Sequence, residues 1–237
     1  MEKWQERTGM LIGSEGLSKL ATARVLIAGA GGVGSAAAEM LARAGVGHIA
    51  IIDSDAYSQT NINRQIPALH STVGKSKVHV MKERLLDINP SLDIQTIEDF
   101  LTEETIPSLV GPGPIDFVVD AIDTLSPKIA LIQYCLKCGF PLVSSMGSGA
   151  KMDATKVRIA DISKTRMCPL AHMLRKRLHK LGITTGFLAV YSEEEPMKET
   201  TVLEESRNKK SQVGTISYLP PVFGCVCAQA VLKGLLK

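Results

Sequence analysis

A chain of 237 residues has enough material for one buried core, and a single doubly wound α/β domain of about 200–250 residues is an ordinary size. Hydrophobic residues at 45% and charged residues at 22% exclude a low-complexity chain, and aromatics at only 4% leave the core to Val, Ile, Leu, Ala and Met. The net charge of +3 is too small to name a nucleic-acid partner by itself.

Met1 to Met10 carries Glu2, Lys3, Glu6 and Arg7 with no apolar stretch after them, so no secretory signal is expected. Apolar runs rich in β-branched residues then alternate with helical stretches, the pattern of βαβ units. Val25–Ala28 predicts the first strand and enters a glycine cluster; Ser35–Ala44 predicts a helix that Gly45 closes. His48–Ile52 predicts a second strand and Lys75–Ile88 a helix stopped by Asn89-Pro90. Ile94–Ile97, Phe117–Val119 and Leu142–Val143 predict three more strands, with a helix over Ser126–Cys138 before the last. In the second half, Val157–Ala160 and Leu188–Tyr191 read as strands and Leu170–Leu181 as a basic helix. Residues 193–212 are polar and charged, and a mobile surface loop or lid is expected there. The apolar tail Tyr218–Leu232 is shorter than the roughly 18 residues of a membrane span and starts with Pro220 and Pro221, so a buried terminal helix and a cytoplasmic protein are expected. The expected fold is α/β: a Rossmann-like, doubly wound, mostly parallel sheet with a less regular C-terminal half packed on it. One domain covers 1–237, with a nucleotide-binding half of about 1–150 and a substrate-side half of about 151–237.

Five cysteines, an odd number, argue against a disulfide scaffold. Cys135-x-x-Cys138 and Cys225-x-Cys227 together would suit a structural zinc. Cys135 and Cys138 lie inside an apolar helical run, however, where small core residues also belong.

Gly29, Gly31, Gly32 and Gly34 sit between a strand and a helix. Glycine lets the backbone turn tightly and approach a phosphate, and the helix start offers free N–H groups. Asp53 ends the next strand, where a carboxylate accepts hydrogen bonds from a ribose. This spacing fits NAD as well as ATP. The segment that follows favours a triphosphate, because Asn61, Arg64, Lys75 and Lys77 offer polar and cationic groups beyond the loop.

Gly29–Ser35, Ile51–Asp55, Thr60–Gln65, Gly74–Lys77 and Val119–Thr124 together resemble the adenylation domain of the ubiquitin-activating superfamily, whose bacterial members include sulfur-carrier adenylyltransferases. The resemblance implies that Asp53 binds the ribose, that Asn61, Arg64 and Lys77 contact phosphates, and that Asp123 holds Mg2+ bridging phosphate oxygens. It also implies a homodimer in which Arg7 reaches the partner's nucleotide. A bland alternative for Asp123 is a cap on the helix near Ser126.

The sulfur-carrier adenylyltransferases carry two Cys-x-x-Cys pairs in their second half, whereas the matching region here has Cys168 alone. Ser144–Gly149, Ala160–Thr165, Pro169–Ala171 and Val190–Glu193 are instead similar to the tRNA threonylcarbamoyladenosine dehydratases. That branch implies an ATP-dependent enzyme that adenylates the threonine carboxylate of a modified adenosine and closes it to a cyclic form. Lys164, Arg166, Arg175 and Lys176 form a basic cluster that would hold tRNA phosphates or serve as a solvated face. Cys168, before a helix, invites a thiolate role; intramolecular ring closure requires none. Activation of a ubiquitin-like sulfur carrier is the alternative function, an NAD oxidoreductase and a silent nucleotide-binding module are the others, and a sulfur-relay protein is a further candidate partner.

Overall fold

In the computed structural model, which describes residues 2–111, 113–197, 200–202 and 212–237, each apolar run becomes a strand of one sheet. The strands are β1 (Arg24–Ala28), β2 (His48–Ile52), β3 (Asp93–Ile97), β4 (Phe117–Asp120), β5 (Leu142–Ser145), β6 (Val157–Asp161) and β7 (Leu188–Ser192). Their order is β3-β2-β1-β4-β5-β7-β6, and only β6 runs antiparallel to its neighbour. The second half therefore does more than pack on the sheet: β6 and β7 extend it.

Successive strand residues point to opposite faces, and both faces are apolar. Val25, Ile27, Ile49, Ile51 and Val119 pack beneath α2 (Gly32–Ala44), α3 (Lys77–Ile88) and α7 (Leu219–Leu235). Leu26, Ala28, Ile52 and Val118 pack beneath α4 (Ile106–Val110), α5 (Leu125–Cys138) and α6 (Pro169–His179). Cys135 and Cys227 belong to these cores, and burial pushes each thiol up to about 12. Glu39 of α2 is buried between Arg43 and Arg84 of α3, at 2.8 and 2.6 Å. Burial pushes its carboxyl upward, but the two arginines outweigh that and hold it below the ordinary range.

Two helices were not foreseen. In α1 (Glu6–Thr22), Gly9, Gly13 and Gly16 dilute the helical signal, and Gly13 breaks the helix with φ 72° and ψ 175°. Its first half exposes Met10 and Leu11 at 77% and 85%, so no buried stripe marks it. The single-turn α4 is too short to show periodicity. Glycine also caps α2 and α5 as the sequence suggests: Gly45 and Gly139 both adopt the left-handed conformation. The expected lid over 193–212 falls largely outside the described residues; its described ends include the short pair β8 (Thr201–Val202) and β9 (Gln212–Val213). Among the described residues, no helix is long and apolar enough to cross a membrane, and the apolar tail forms α7 against α2.

The α2–α7 contact depends on Gly224, where a Cβ would meet the Val33 carbonyl, the Ala36 Cβ at 2.7 Å and the Ala37 nitrogen at 2.9 Å. Two of these three atoms are backbone of α2 and the third is a Cβ fixed to it, so none can swing aside. Gly224→Ala is expected to destabilise the protein by about 1–3 kcal/mol through overpacking, read as a lower urea midpoint; an unchanged midpoint would show that the two helices can separate without loss.

Candidate active site

β1 and β4 lie side by side, but the chain leaves β1 toward one side of the sheet and β4 toward the other. A crevice forms at the carboxyl ends of the strands where the order reverses, and ligands of open α/β sheets bind there. The glycine loop lies in this crevice. Gly29 takes φ 96°, donates its N–H to the Ile52 carbonyl at 2.8 Å, and leaves no space for a Cβ, which would stand 2.9 Å from the Ala121 carbonyl oxygen. A Cβ on Gly34 would sit inside the contact shell of the Gly29 carbonyl. The loop thus closes on itself and on the turn after β4, and the free N–H groups of the first turn of α2 face the crevice. A Cβ on Gly32 would meet the Arg64 carbonyl at 2.9 Å and Pro220 Cβ at 2.8 Å, so the Arg64 turn and the start of α7 wall the other side.

Asp53 accepts the Ala30 N–H at 2.6 Å and the Asp55 N–H at 2.8 Å, which fixes the loop and the end of β2 together. Lys77 is buried; its Nζ lies 2.7 Å from Asp55 Oδ2 and 3.9 Å from Asp53 Oδ1. Burial raises the Asp53 carboxyl above the ordinary range, against the pull of the Lys77 charge and of its two backbone donors. Tyr57, buried close by, is pushed up as well, by burial and then by the Asp53 charge. Asn61 Oδ1 accepts the Ser58 N–H at 3.1 Å in a capping box. Arg64 Nη1 donates to the Thr60 carbonyl at 2.7 Å and to Asn63 Oδ1 at 2.8 Å, and Asn63 in turn donates to the Thr215 carbonyl at 2.9 Å. These contacts curl the Arg64 guanidinium back over its own turn beside the loop.

Asp123 is exposed in the turn between β4 and α5. It is not the cap of the following helix, since that position is Thr124. A single exposed carboxylate would suit Mg2+, which keeps waters among its ligands; no group of three or more His, Cys, Asp or Glu gathers as a closed metal site among the described residues. Gly29, Gly31, Gly32, Gly34, Asp53, Asn61, Arg64, Lys77 and Asp123 therefore all lie on the loops and helix starts that follow the carboxyl ends of the neighbouring strands β1, β2 and β4. Arg7 does not join them. It is exposed on α1, just after Gln5, whose Nε2 lies 2.7 Å from the Cβ position of Gly45. Gly45 caps the far end of α2, about 20 Å along that helix from the loop.

The basic cluster divides. Arg166 pairs with Glu193 at 2.5 Å, and Arg175 donates to the Thr165 carbonyl at 2.9 Å and to the Thr165 hydroxyl, fastening α6 to the preceding loop. Lys164 and Lys176 are exposed and form no hydrogen bond or ion pair among the described residues. Cys168 is buried at the N-cap of α6.

Sequence reasoning passed over four groups here. Ser35 Oγ and Gln65 Oε1 are buried without a hydrogen-bond partner among the described residues, and Gln65 Nε2 lies 3.8 Å from the Cβ position of Gly31. Such orphaned atoms beside a phosphate loop suit a polar ligand. Both close motifs already singled out, so position alone pointed to them. Asp120 and Lys128 form a buried ion pair at 2.6 Å; only the tertiary packing puts Lys128 inside.

A model of the ThiF family matches residues 6–237. The tRNA threonylcarbamoyladenosine dehydratase of Bacillus subtilis (strain 168) is 42% identical over 239 residues, covering 98% of this chain and 94% of the relative. Its counterpart in Escherichia coli (strain K12) is 36% identical over 99% of this chain and 95% of the relative. The crystal structure of an E. coli tRNA N6-threonylcarbamoyladenosine dehydratase in complex with ATP matches with a TM-score of 0.90 at 36% identity, covering 99% of this chain and 96% of that one.

Because the Gly34 hydrogen faces the Gly29 carbonyl, Gly34→Ala must open the loop. ATP affinity measured by calorimetry is expected to fall at least about tenfold while the protein stays folded; undiminished affinity would remove the loop as the phosphate site.

Proposed function

The chain belongs to the ThiF family, and from that premise we propose that it catalyses the ATP-dependent dehydration of tRNA threonylcarbamoyladenosine to its cyclic hydantoin form through carboxylate adenylation. The crevice carries the proposal: a glycine loop at a helix start, a ribose-side carboxylate in Asp53, two cations in Arg64 and Lys77, and an exposed Asp123 converge at one switch point. The relatives similar over nearly the whole chain bear the same activity in their names, and one of their structures holds ATP.

The chemistry needs this equipment. A carboxylate is a poor electrophile because its charge repels nucleophiles and oxide is a poor leaving group. Its oxygen attacks the α-phosphorus of ATP, the bond to the β-phosphate bridging oxygen breaks, and pyrophosphate leaves with an acyl-adenylate formed. A ureido nitrogen of the same group then attacks the acyl carbon; that nitrogen loses its proton and the C–O bond to AMP breaks. Substrate carboxylate and ATP become ring, AMP and pyrophosphate, with the elements of water removed from the nucleoside. Closure is intramolecular, so proximity supplies much of the rate and no thiol is required. The N–H groups of α2 orient the phosphates, and Lys77 and Arg64 offset the charge that builds as pyrophosphate departs. Mg2+ held by Asp123 would supply further neutralisation of the phosphate oxygens.

For Arg64 to reach a phosphate it exchanges the Thr60 and Asn63 oxygens for ligand oxygens, and Lys77 does the same with Asp55. Lys164 and Lys176 are the cations of the basic cluster with most freedom to meet tRNA phosphates, while Arg166 and Arg175 are committed within the chain. A cytoplasmic reaction is consistent with a tRNA substrate. No thiol step in this scheme calls on the candidate sulfur-relay partner.

Pyrophosphate release with modified tRNA tests the assignment. Arg64→Ala and Asp123→Ala are each expected to lower it by about 10²–10³-fold, and mass spectrometry of the digested tRNA should show the cyclic nucleoside only with the intact enzyme. Full activity in both variants, or NAD bound in preference to ATP, would sink it.

We further propose a homodimer in which Arg7 completes the partner's site, since within one chain it lies at the wrong end of α2. Mixing inactive Arg7→Ala and Arg64→Ala proteins should then restore about one quarter of wild-type activity, because half of the dimers are mixed and each holds one intact site. No recovery on mixing would show that Arg7 does not act across the dimer interface.

A further inference from the structure

Lys128 and Asp120 are both fully buried, each side chain 0% exposed. A buried ion pair is seldom the more stable choice, since a well-packed apolar pair of the same volume does as well or better. Its retention at this place calls for a second reason, and the surrounding contacts supply one. Lys128 Nζ donates to Asp120 Oδ2 at 2.6 Å, to Ser144 Oγ at 3.1 Å and to the Ser145 carbonyl at 3.0 Å, so all three of its donors are used. Asp120 Oδ2 also accepts the Ser144 hydroxyl at 2.6 Å, and Oδ1 accepts the Ile122 N–H at 3.1 Å. One ammonium from α5 thereby ties the last residue of β4 to the last two of β5.

Both strand ends lead straight into the crevice. After Asp120 comes Ala121, whose N–H bonds the Ala28 carbonyl at 2.8 Å and whose carbonyl forms the floor under Gly29; Asp123 follows two residues later. After Ser145 comes Met146, held to the Val190 carbonyl at 2.8 Å, and then the Gly147–Gly149 loop at the next position along the same edge. On the proposed function, the substrate carboxylate must approach the α-phosphate from beside this edge.

We infer that Lys128 is a positioning residue for adenylation: its ammonium clamps the ends of β4 and β5 and so sets the spacing between the Asp123 turn at the phosphates and the Gly147–Gly149 loop on the substrate side. The inference rests on the proposed function. It distinguishes this pair from the Glu39 network, which joins two helices and no strand ends, and from Arg175, which fastens α6 to its own loop.

Lys128→Met alone would leave Asp120 charged and unpaired in the core and confuse folding with function. The paired replacement Asp120→Asn with Lys128→Met removes both charges, and Ser144→Ala keeps the ion pair while cutting one link to β5. ATP affinity by calorimetry, melting temperature, and kcat and KM for ATP in pyrophosphate release are measured for each. The paired variant is expected to melt as a folded protein and bind ATP within about threefold of wild type, yet to lose at least about tenfold in kcat, because small misplacements of reacting groups are costly. Ser144→Ala is expected to lose about threefold in kcat with KM unchanged. A folded paired variant with wild-type kcat overturns the inference, as does a loss confined to KM and ATP affinity. If the paired variant does not fold, Ser144→Ala decides alone, and an unchanged kcat there overturns it. A wild-type protein that releases no pyrophosphate with modified tRNA removes the functional reading, and the inference falls with it.

Discussion

Parallel pairing of β1 with β4 brings the ends of two strands together whose continuations turn to opposite faces of the sheet. Ala28 and Asp120 are register partners, and the Ala121 N–H returns to the Ala28 carbonyl at 2.8 Å. Everything in the crevice is referenced to this junction. The glycine loop leaves from one strand and rests on the Ala121 carbonyl of the other, so a shift of one strand by a residue would remove that support. A side-chain period of two makes such a slip costly, because it would exchange Val25 and Ile27 for Leu26 and Ala28 between two well-filled cores.

Charge is concentrated around this junction in a way that costs stability. Asp53 is buried, and its carboxyl is raised mainly by that burial. The folded chain therefore holds this proton to higher pH than the unfolded chain. The resulting stabilisation is complete below the ordinary carboxylate range and lost as pH rises through the raised value, so at neutral pH the ionised group is a net burden. Lys77 and two backbone N–H groups offset part of it. On the proposed function, a ribose hydroxyl and phosphates would partner the same groups, so the polar capacity at this junction is what a nucleotide would satisfy. Ser35 Oγ and Gln65 Oε1, buried without a partner among the described residues, belong to the same pattern.

The second half of the chain shapes the crevice as well as the edge of the sheet. Pro220 at the start of α7 stands against Gly32, and Asn63 beside Arg64 is tied to the Thr215 carbonyl. Residues distant in sequence thus wall the glycine loop, and the sheet runs without a break across the division expected near residue 150.

The amino-acid order by itself determined the strands, most helices, the glycine loop and Asp53, because these follow from local rules: two-residue alternation, β-branched runs, and glycines where backbone must bend or approach a phosphate. Asn61, Arg64, Lys77 and Asp123 were marked by resemblance to the adenylation domain, which no local rule supplies. The antiparallel direction of β6, the kinked and exposed α1, and the burial of Lys128 were decided only in three dimensions. A lysine in a helix reads as a solvated charge unless the acceptors that receive it are known, and those acceptors lie on two other strands. The separation of Arg7 from the loop is of the same kind: it depends on where α1 docks, which no spacing along the chain encodes.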